Sequence, residues 1–234
     1  THGGGRDSVH ITNTHNVLII LPASRGVRTK IVEMTSLRTS FDPPSPSALN
    51  AYVRAAEVAR RPHNHDFVPG GRAEPEDLRV IAMSTRVGSG QLCYIAACRR
   101  LRAWRMHDGS AHTGIFAASD GSIVTWARMA PALWVLNPCR AVKPAPHIAF
   151  GSSKAVRRSD AVAYATTEGH LIQGVEHMRV TLSSPRDGSV VDFHVHSASR
   201  GSGLLGRALF PLLAPAQRRY FHEQLRCMAV GCAQ

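Results

Sequence analysis

Residues 175–182 and 190–196 are two alternating apolar–polar runs, separated by Pro185-Arg186-Asp187-Gly188 and followed by a long amphipathic stretch towards the last residue. Asp-Gly tolerates the positive φ angles of a tight turn, so the two runs predict an antiparallel hairpin. Beyond it, Leu209, Leu212, Leu213, Ala216, Tyr220 and Leu225 recur at helical spacing, with Arg207, Arg218, Arg219 and Arg226 on or near the polar side. A helix with one apolar stripe has to cover something. An antiparallel sheet with one bare face is what the preceding residues supply. Pro211 and Pro215 are expected to restrict or kink its first turns.

The upstream residues fit the same plan. Ser45 is a plausible N-cap, Pro46 suits the first helical position, and Leu49, Tyr52, Val53 and Ala56 follow on one face. Residues 63–75 read as a loop and 78–87 as a strand that stops at Gly88-Ser89-Gly90, where a helix begins. Short strands are expected at 114–118, 122–129, 133–136, 147–151 and 161–167, and Asn137-Pro138-Cys139-Arg140 reads as a rigid β-turn. Trp134, Leu136 and Cys139 should be buried, with Arg140 in a fixed polar contact. The fold class expected is therefore α+β: a curved antiparallel sheet gripping a long C-terminal helix. Residues 36–234 form one such domain and residues 1–35 an N-terminal extension.

The formal net charge is +12, a surplus that favours acidic partners, including the phosphates of RNA. The cations are 25 arginines and 3 lysines, a bias that composition alone can produce. Five cysteines without a C-x-x-C pair argue against a disulfide framework or a zinc site, and fit a reducing compartment. No apolar run reaches the roughly 20 residues of a membrane helix, so the chain is not expected to span a membrane. In the extension, Val17, Leu18, Ile19, Ile20 and Leu21 are apolar on both faces and must pack on the domain or on a partner. The first residue is Thr1, which suggests a removed targeting peptide or a trimmed start.

Several stretches carry a family resemblance. They are Arg86-Val87-Gly88-Ser89-Gly90 with Ala103-Trp104-Arg105-Met106-His107, then Leu133-Trp134-Val135-Leu136-Asn137-Pro138-Cys139-Arg140, then Tyr164-Ala165-Thr166 with Gly169-His170 and Gly174-Val175-Glu176. The last are Ser199-Arg200, Pro211, Gln217-Arg218-Arg219-Tyr220-Phe221, and Leu225 before Met228. From about residue 36 to 230 the chain resembles a family of bacterial and plant proteins labelled only as a domain of unknown function, DUF1990. The resemblance implies a helix-grip fold similar to START, SRPBCC and Bet v-type domains, which often hold apolar molecules. Two departures stand out. The family's Gly-His-Pro-Glu followed by Gly-Glu-Glu is here Gly169-His170-Leu171-Ile172-Gln173-Gly174-Val175-Glu176, and its Phe-Ser-Arg-Pro is Ala198-Ser199-Arg200-Gly201. A polar site at this hairpin would thus have lost part of its equipment.

Thirteen histidines raise the question of a metal. His63 and His65 lie in a loop. His194 and His196 share a strand face, with His170, His177 or Glu176 as a third ligand. Without a Cys cluster or H-E-x-x-H, no metal or other cofactor is expected. Cys139 has no readable base and no Gly-x-Ser-x-Gly elbow exists, so no catalytic residue is expected and the chain is read as a non-enzyme. Trp104, Trp126, Trp134, Leu213 and Tyr220 are candidates for lining a ligand cavity between sheet and helix. Two functions follow. The first is a non-catalytic accessory or scaffold subunit of a large organellar assembly, a mitochondrial ribosome or respiratory complex. It would dock on protein subunits through Val17 to Leu21, Arg218 and Arg219, with RNA phosphate contact open. The alternative is a soluble carrier of an apolar small molecule or lipid in the helix-grip cavity. For location, a mitochondrion is favoured over a chloroplast.

Overall fold

The computed structural model describes residues 37–39, 44–55, 58, 62–63, 78–130, 133–145, 156–168, 170–183 and 189–232. Val17 to Leu21, the loop at 64–75, the strand expected at 147–151 and the Asp187-Gly188 turn lie outside them. The element order is β1 (Leu37–Thr39), α1 (Pro46–Ala55), β2 (Arg79–Ser89), α2 (Gly90–Arg102), β3 (Thr113–Ala117), β4 (Ser122–Ala130), β5 (Leu133–Val142), β6 (Val156–Thr166), β7 (Ile172–Ser183), β8 (Val190–Gly201) and α3 (Gly203–Cys232).

All the pairings are antiparallel, in the order β2-β8-β7-β6-β5-β4-β3, with β1 added beside β5. This is the helix-grip α+β fold: a curled antiparallel sheet with the C-terminal helix laid across its concave face. Period-two alternation decides what that face receives. From β7 it takes Met178 and Val180, and from β8 Phe193 and Val195. Helix α2 adds Tyr94, Ala97 and Leu101, and α3 adds Tyr220, Phe221, Leu225 and Met228. On the other face, α1 packs Leu49, Tyr52 and Val53 on Val124, Trp134 and Leu136. The start of α1 is capped as its sequence predicts, with the Ala48 N–H donating to Ser45 Oγ at 3.2 Å.

Two local expectations need correction. Asn137-Pro138-Cys139-Arg140 is not a turn but the middle of strand β5. Proline is tolerated there because its missing N–H falls where β5 changes neighbour. β1 pairs with Leu133, Trp134 and Val135, β6 begins only at Cys139, and the Pro138 carbonyl accepts from the Thr167 N–H and hydroxyl. Trp134, Leu136 and Cys139 are buried as expected. Arg140, however, is half-buried and makes no hydrogen bond or ion pair among the described residues; its field only helps hold down the Asp120 carboxyl.

The stripe of α3 read in the sequence holds at Leu213, Ala216, Tyr220 and Leu225 but needs correction at Leu212. Leu212 is 73% exposed, whereas Phe221, Gln224 and Met228 are fully enclosed. The helix runs unbroken through Pro211 and Pro215. It is seated by small residues at its start. A Cβ built on Gly206 would lie 2.3 Å from the Leu171 carbonyl oxygen, and one on Gly201 would lie 2.3 Å from the Gly206 carbonyl oxygen. Backbone cannot yield as a flexible side chain does. Gly206→Ala should therefore destabilise the domain by about 1–3 kcal/mol, the usual cost of overpacking. Urea unfolding checks this; an unchanged midpoint would show that the start of α3 is not seated on Leu171.

Candidate functional site

Beyond Phe221 the helix packs on the core through Leu225 and Met228. Towards its N-terminus helix and sheet part, leaving a cavity of about 80 Å³. By a measure in which one water needs roughly 10–15 Å³, this holds several waters or a compact molecule. The sheet side is formed by Thr125 and Ala127 of β4, Val135 and Asn137 of β5, Tyr164 and Thr166 of β6, Gly174 and Glu176 of β7, and Ser197 and Ser199 of β8. Helix α3 contributes Leu213, Ala216, Gln217 and Tyr220, and the segment before β7 contributes His170, Leu171 and Ile172.

The polar part is built by cross-strand pairing. Tyr164 and Glu176 are register partners, and the Tyr164 hydroxyl donates to the Glu176 carboxylate. From α3, Gln217 Nε2 donates to Ser197 Oγ at 3.3 Å and to Ser199 Oγ at 3.1 Å. Burial pushes the Glu176 carboxyl up to about 7, and its hydrogen bonds with Tyr164 and Gln217 keep it from rising further. Burial, and next the Glu176 charge, raise both the Tyr164 and Tyr220 hydroxyls well above their ordinary value. The Tyr220 hydroxyl, close to that of Tyr164, makes no well-formed hydrogen bond among the described residues. His170 Nδ1 accepts from the Ile172 N–H at 2.9 Å, and burial pushes this ring down to about 3, so it is neutral at pH 7.

Of the five expected cavity residues, only Leu213 and Tyr220 line the cavity. Trp126 and Trp134 do not, because alternation turns them to the opposite face, against α1, while their neighbours Thr125, Ala127 and Val135 face inward. Trp104 packs on the main core, its ring centroid 6.0 Å from that of Tyr164, and lies outside the lining. Arg218 and Arg219 are exposed on the far side of α3. His194 and His196 share the sheet's other face with His177, the register partner of His196, whereas His170 and Glu176 belong to the cavity. Among the described residues no cluster of three metal-ligating side chains forms. Cys139 is buried with its thiol pushed well up by that burial, which disfavours a thiolate nucleophile. Glu176 is the residue whose importance sequence reading missed. The signal was present: Glu176 shares its strand face with Met178, Val180 and Leu182, one carboxylate on an otherwise apolar row.

The profile of the family described as "Domain of unknown function (DUF1990)" matches residues 65–227. The chain belongs to this family. Solved structures show distant likeness to this DUF1990 protein. The Zhui aromatase/cyclase from Streptomyces sp. R1128 is 11% identical, with a TM-score of 0.41 over 67% of this chain and 94% of that one. A hypothetical protein from Helicobacter pylori is 11% identical, with a TM-score of 0.39 over 70% and 90%. The di-domain aromatase/cyclase BexL is 12% identical, with a TM-score of 0.39; the match covers 80% of this chain and 56% of that longer one. None of the curated proteins compared with the chain matches it. From the stretch before and into β7, His170, Leu171, Ile172, Gly174 and Glu176 line the cavity.

The buried carboxyl has a measurable signature. Its folded value, about 7, lies above the ordinary 4.5, so the folded chain binds this proton more tightly. The contribution to stability is full below about pH 4.5 and is lost as pH rises through about 7. At about 1.36 kcal/mol per unit this is roughly 3 kcal/mol at most. Glu176→Gln removes the titration. The stability of the variant relative to the parent should therefore increase between pH 5 and pH 8, measured by urea unfolding at both. A pH-independent difference would show that the carboxyl is solvated.

Proposed function

We propose that this DUF1990 protein binds a compact, largely apolar small molecule in the cavity under α3, with the ligand's one polar end at Glu176, Tyr164 and Tyr220. The observation that carries this is the cavity itself: apolar walls from Val135, Leu171, Leu213 and Ala216 converge on a few polar groups, the usual anatomy of a small-molecule site. The Tyr220 hydroxyl supports the same reading: it is buried and only loosely engaged by the neighbouring Tyr164 hydroxyl, so a ligand's polar group would complete it. The size of the cavity favours a small molecule over a long-chain lipid.

Reading the chain as a scaffold subunit has less behind it. Exposed arginines such as Arg218 and Arg219 are ordinary on a chain of net charge +12 and name no partner. Among the described residues no helix is long and apolar enough to cross a membrane. The expectation of a chain without catalytic equipment does not extend to this site. A carboxyl poised near neutrality beside two phenols is suited to moving protons as well as to binding. Binding is the reading adopted because it needs only the cavity and its polar end.

Native mass spectrometry of the protein isolated from its source should show a bound small molecule. Ala216→Phe, which places a ring in the cavity, should abolish that adduct while leaving the melting temperature within a few degrees of the parent. An adduct retained by this variant would place the ligand elsewhere.

A further inference from the structure

Resting on that ligand-binding reading, we infer that the cavity selects an apolar amine, whose ammonium serves as the counter-ion of Glu176, and rejects anions. The argument starts from what surrounds the carboxylate. The chain carries 28 Lys and Arg residues, yet among the described residues none lines the cavity. Among the described residues no cation pairs with Glu176. The groups that face it are Cys139 on β5, Tyr164 on β6, Ser197 on β8, and Gln217 and Tyr220 on α3. The histidine of the lining, His170, is held neutral by burial. Among the described residues Glu176 is thus the one ionisable group of the lining that carries charge near neutral pH, and that charge is negative.

A carboxylate out of water without a partner is costly, and its attraction for an incoming cation is correspondingly strong. The rest of the lining is complementary to an ammonium group. An ammonium has three donors and no acceptor. The cavity offers the Glu176 carboxylate and the Tyr220 hydroxyl, which is 93% buried from a relative exposure of 7% and makes no well-formed hydrogen bond among the described residues, and Asn137 lines it as well. Two phenol rings at the same end can add cation–π attraction. A carboxylate or phosphate ligand would meet Glu176 with like charge and find no cation to offset it. That excludes fatty acids and phosphorylated molecules from this end of the cavity.

Three probes of one shape test the inference: benzylamine, benzyl alcohol and benzoate, titrated by calorimetry into the full chain and into Glu176→Gln. The expected result is that near pH 8 benzylamine binds at least about tenfold more tightly than benzyl alcohol, the scale of one charge-assisted hydrogen bond, and benzoate does not bind. Near pH 5, where Glu176 holds its proton, the preference for the amine should shrink. Glu176→Gln should remove the preference at both pH values while still binding benzyl alcohol, which shows that the variant is folded and its cavity open. If the alcohol binds as tightly as the amine, or benzoate binds at all, the charge selection is wrong and the ligand-binding reading stands. If none of the three binds, and Ala216→Phe retains the native adduct, the cavity reading falls together with the inference.

Discussion

The packing of α3 on the sheet is dry at one end and polar at the other, and the site follows from that division. From Phe221 to Met228 the helix presents Phe221, Leu225 and Met228 to the core that holds Met178, Phe193 and Val195. From Gly206 to Gln217 it presents Gly206, Leu213, Ala214, Ala216 and the Gln217 amide, among which only Leu213 is a large apolar side chain. The helix cannot sink closer at that end. Its start is already in backbone contact with Leu171 and Gly201, where a single added methyl group would overlap. A helix pinned at both ends, over a sheet that curls away between them, leaves a void whose position is fixed by backbone rather than by loops. This rigidity suits a binding site, since the polar groups are held on strands and a helix and need little ordering when a ligand arrives.

Much of this architecture was legible in the sequence because it rests on periodicity. Alternation on β7 and β8, helical spacing on α3 and the glycines around Ser89 each specify local structure without knowledge of what lies opposite. What was not legible depends on three-dimensional partners. The buried face of α3 was partly misjudged because hydropathy counts Leu212 as core and Gln217 and Gln224 as surface. In the fold Leu212 is exposed, while Gln217 is buried between Ser197 and Ser199. The tryptophans were candidates for the cavity, yet alternation on β4 and β5 commits Trp126 and Trp134 to the opposite face from Thr125 and Val135. Pro138 suggested a turn because a proline inside a central strand is rare. Its place in β5 becomes intelligible only once β1 and β6 are seen to share one edge of that strand.

The pairing of Tyr164 with Glu176 shows how a site can be hidden in an ordinary-looking strand. Each residue alone reads as a tolerated polar position in an apolar run. Cross-strand register brings them together on the concave face, where neither can reach bulk water easily. Their environments push both groups towards their neutral forms; the Glu176 charge makes Tyr164 harder to ionise, while the hydrogen bond from Tyr164 steadies the Glu176 carboxylate against the burial that raises it. A structural hydrogen bond would be better served by an uncharged pair such as Tyr and Gln, which avoids the desolvation cost of a carboxylate. That a carboxyl stands here gives the site something a neutral pair lacks: a charge that appears or disappears near neutral pH with the ligand's own demands.

The net charge of +12 and the lone carboxylate in the cavity are best understood together. A protein with so many arginines has a positive field over its surface, which draws anions from solution and repels cations. That field is screened within about 10 Å at ordinary salt, so it governs encounter with the surface more than affinity inside. Within the cavity the nearest charge dominates, and it is the opposite one. The two regions therefore sort molecules by different rules: arginines such as Arg218 and Arg219 meet whatever acidic matter surrounds the protein, and Glu176 decides what enters beneath α3. Hydrogen bonds from Tyr164 and Gln217 favour the ionised form of Glu176, working against the desolvation that raises it. The carboxyl is thereby held close to the balance point, where a modest gain in ligand contacts is enough to set its protonation state.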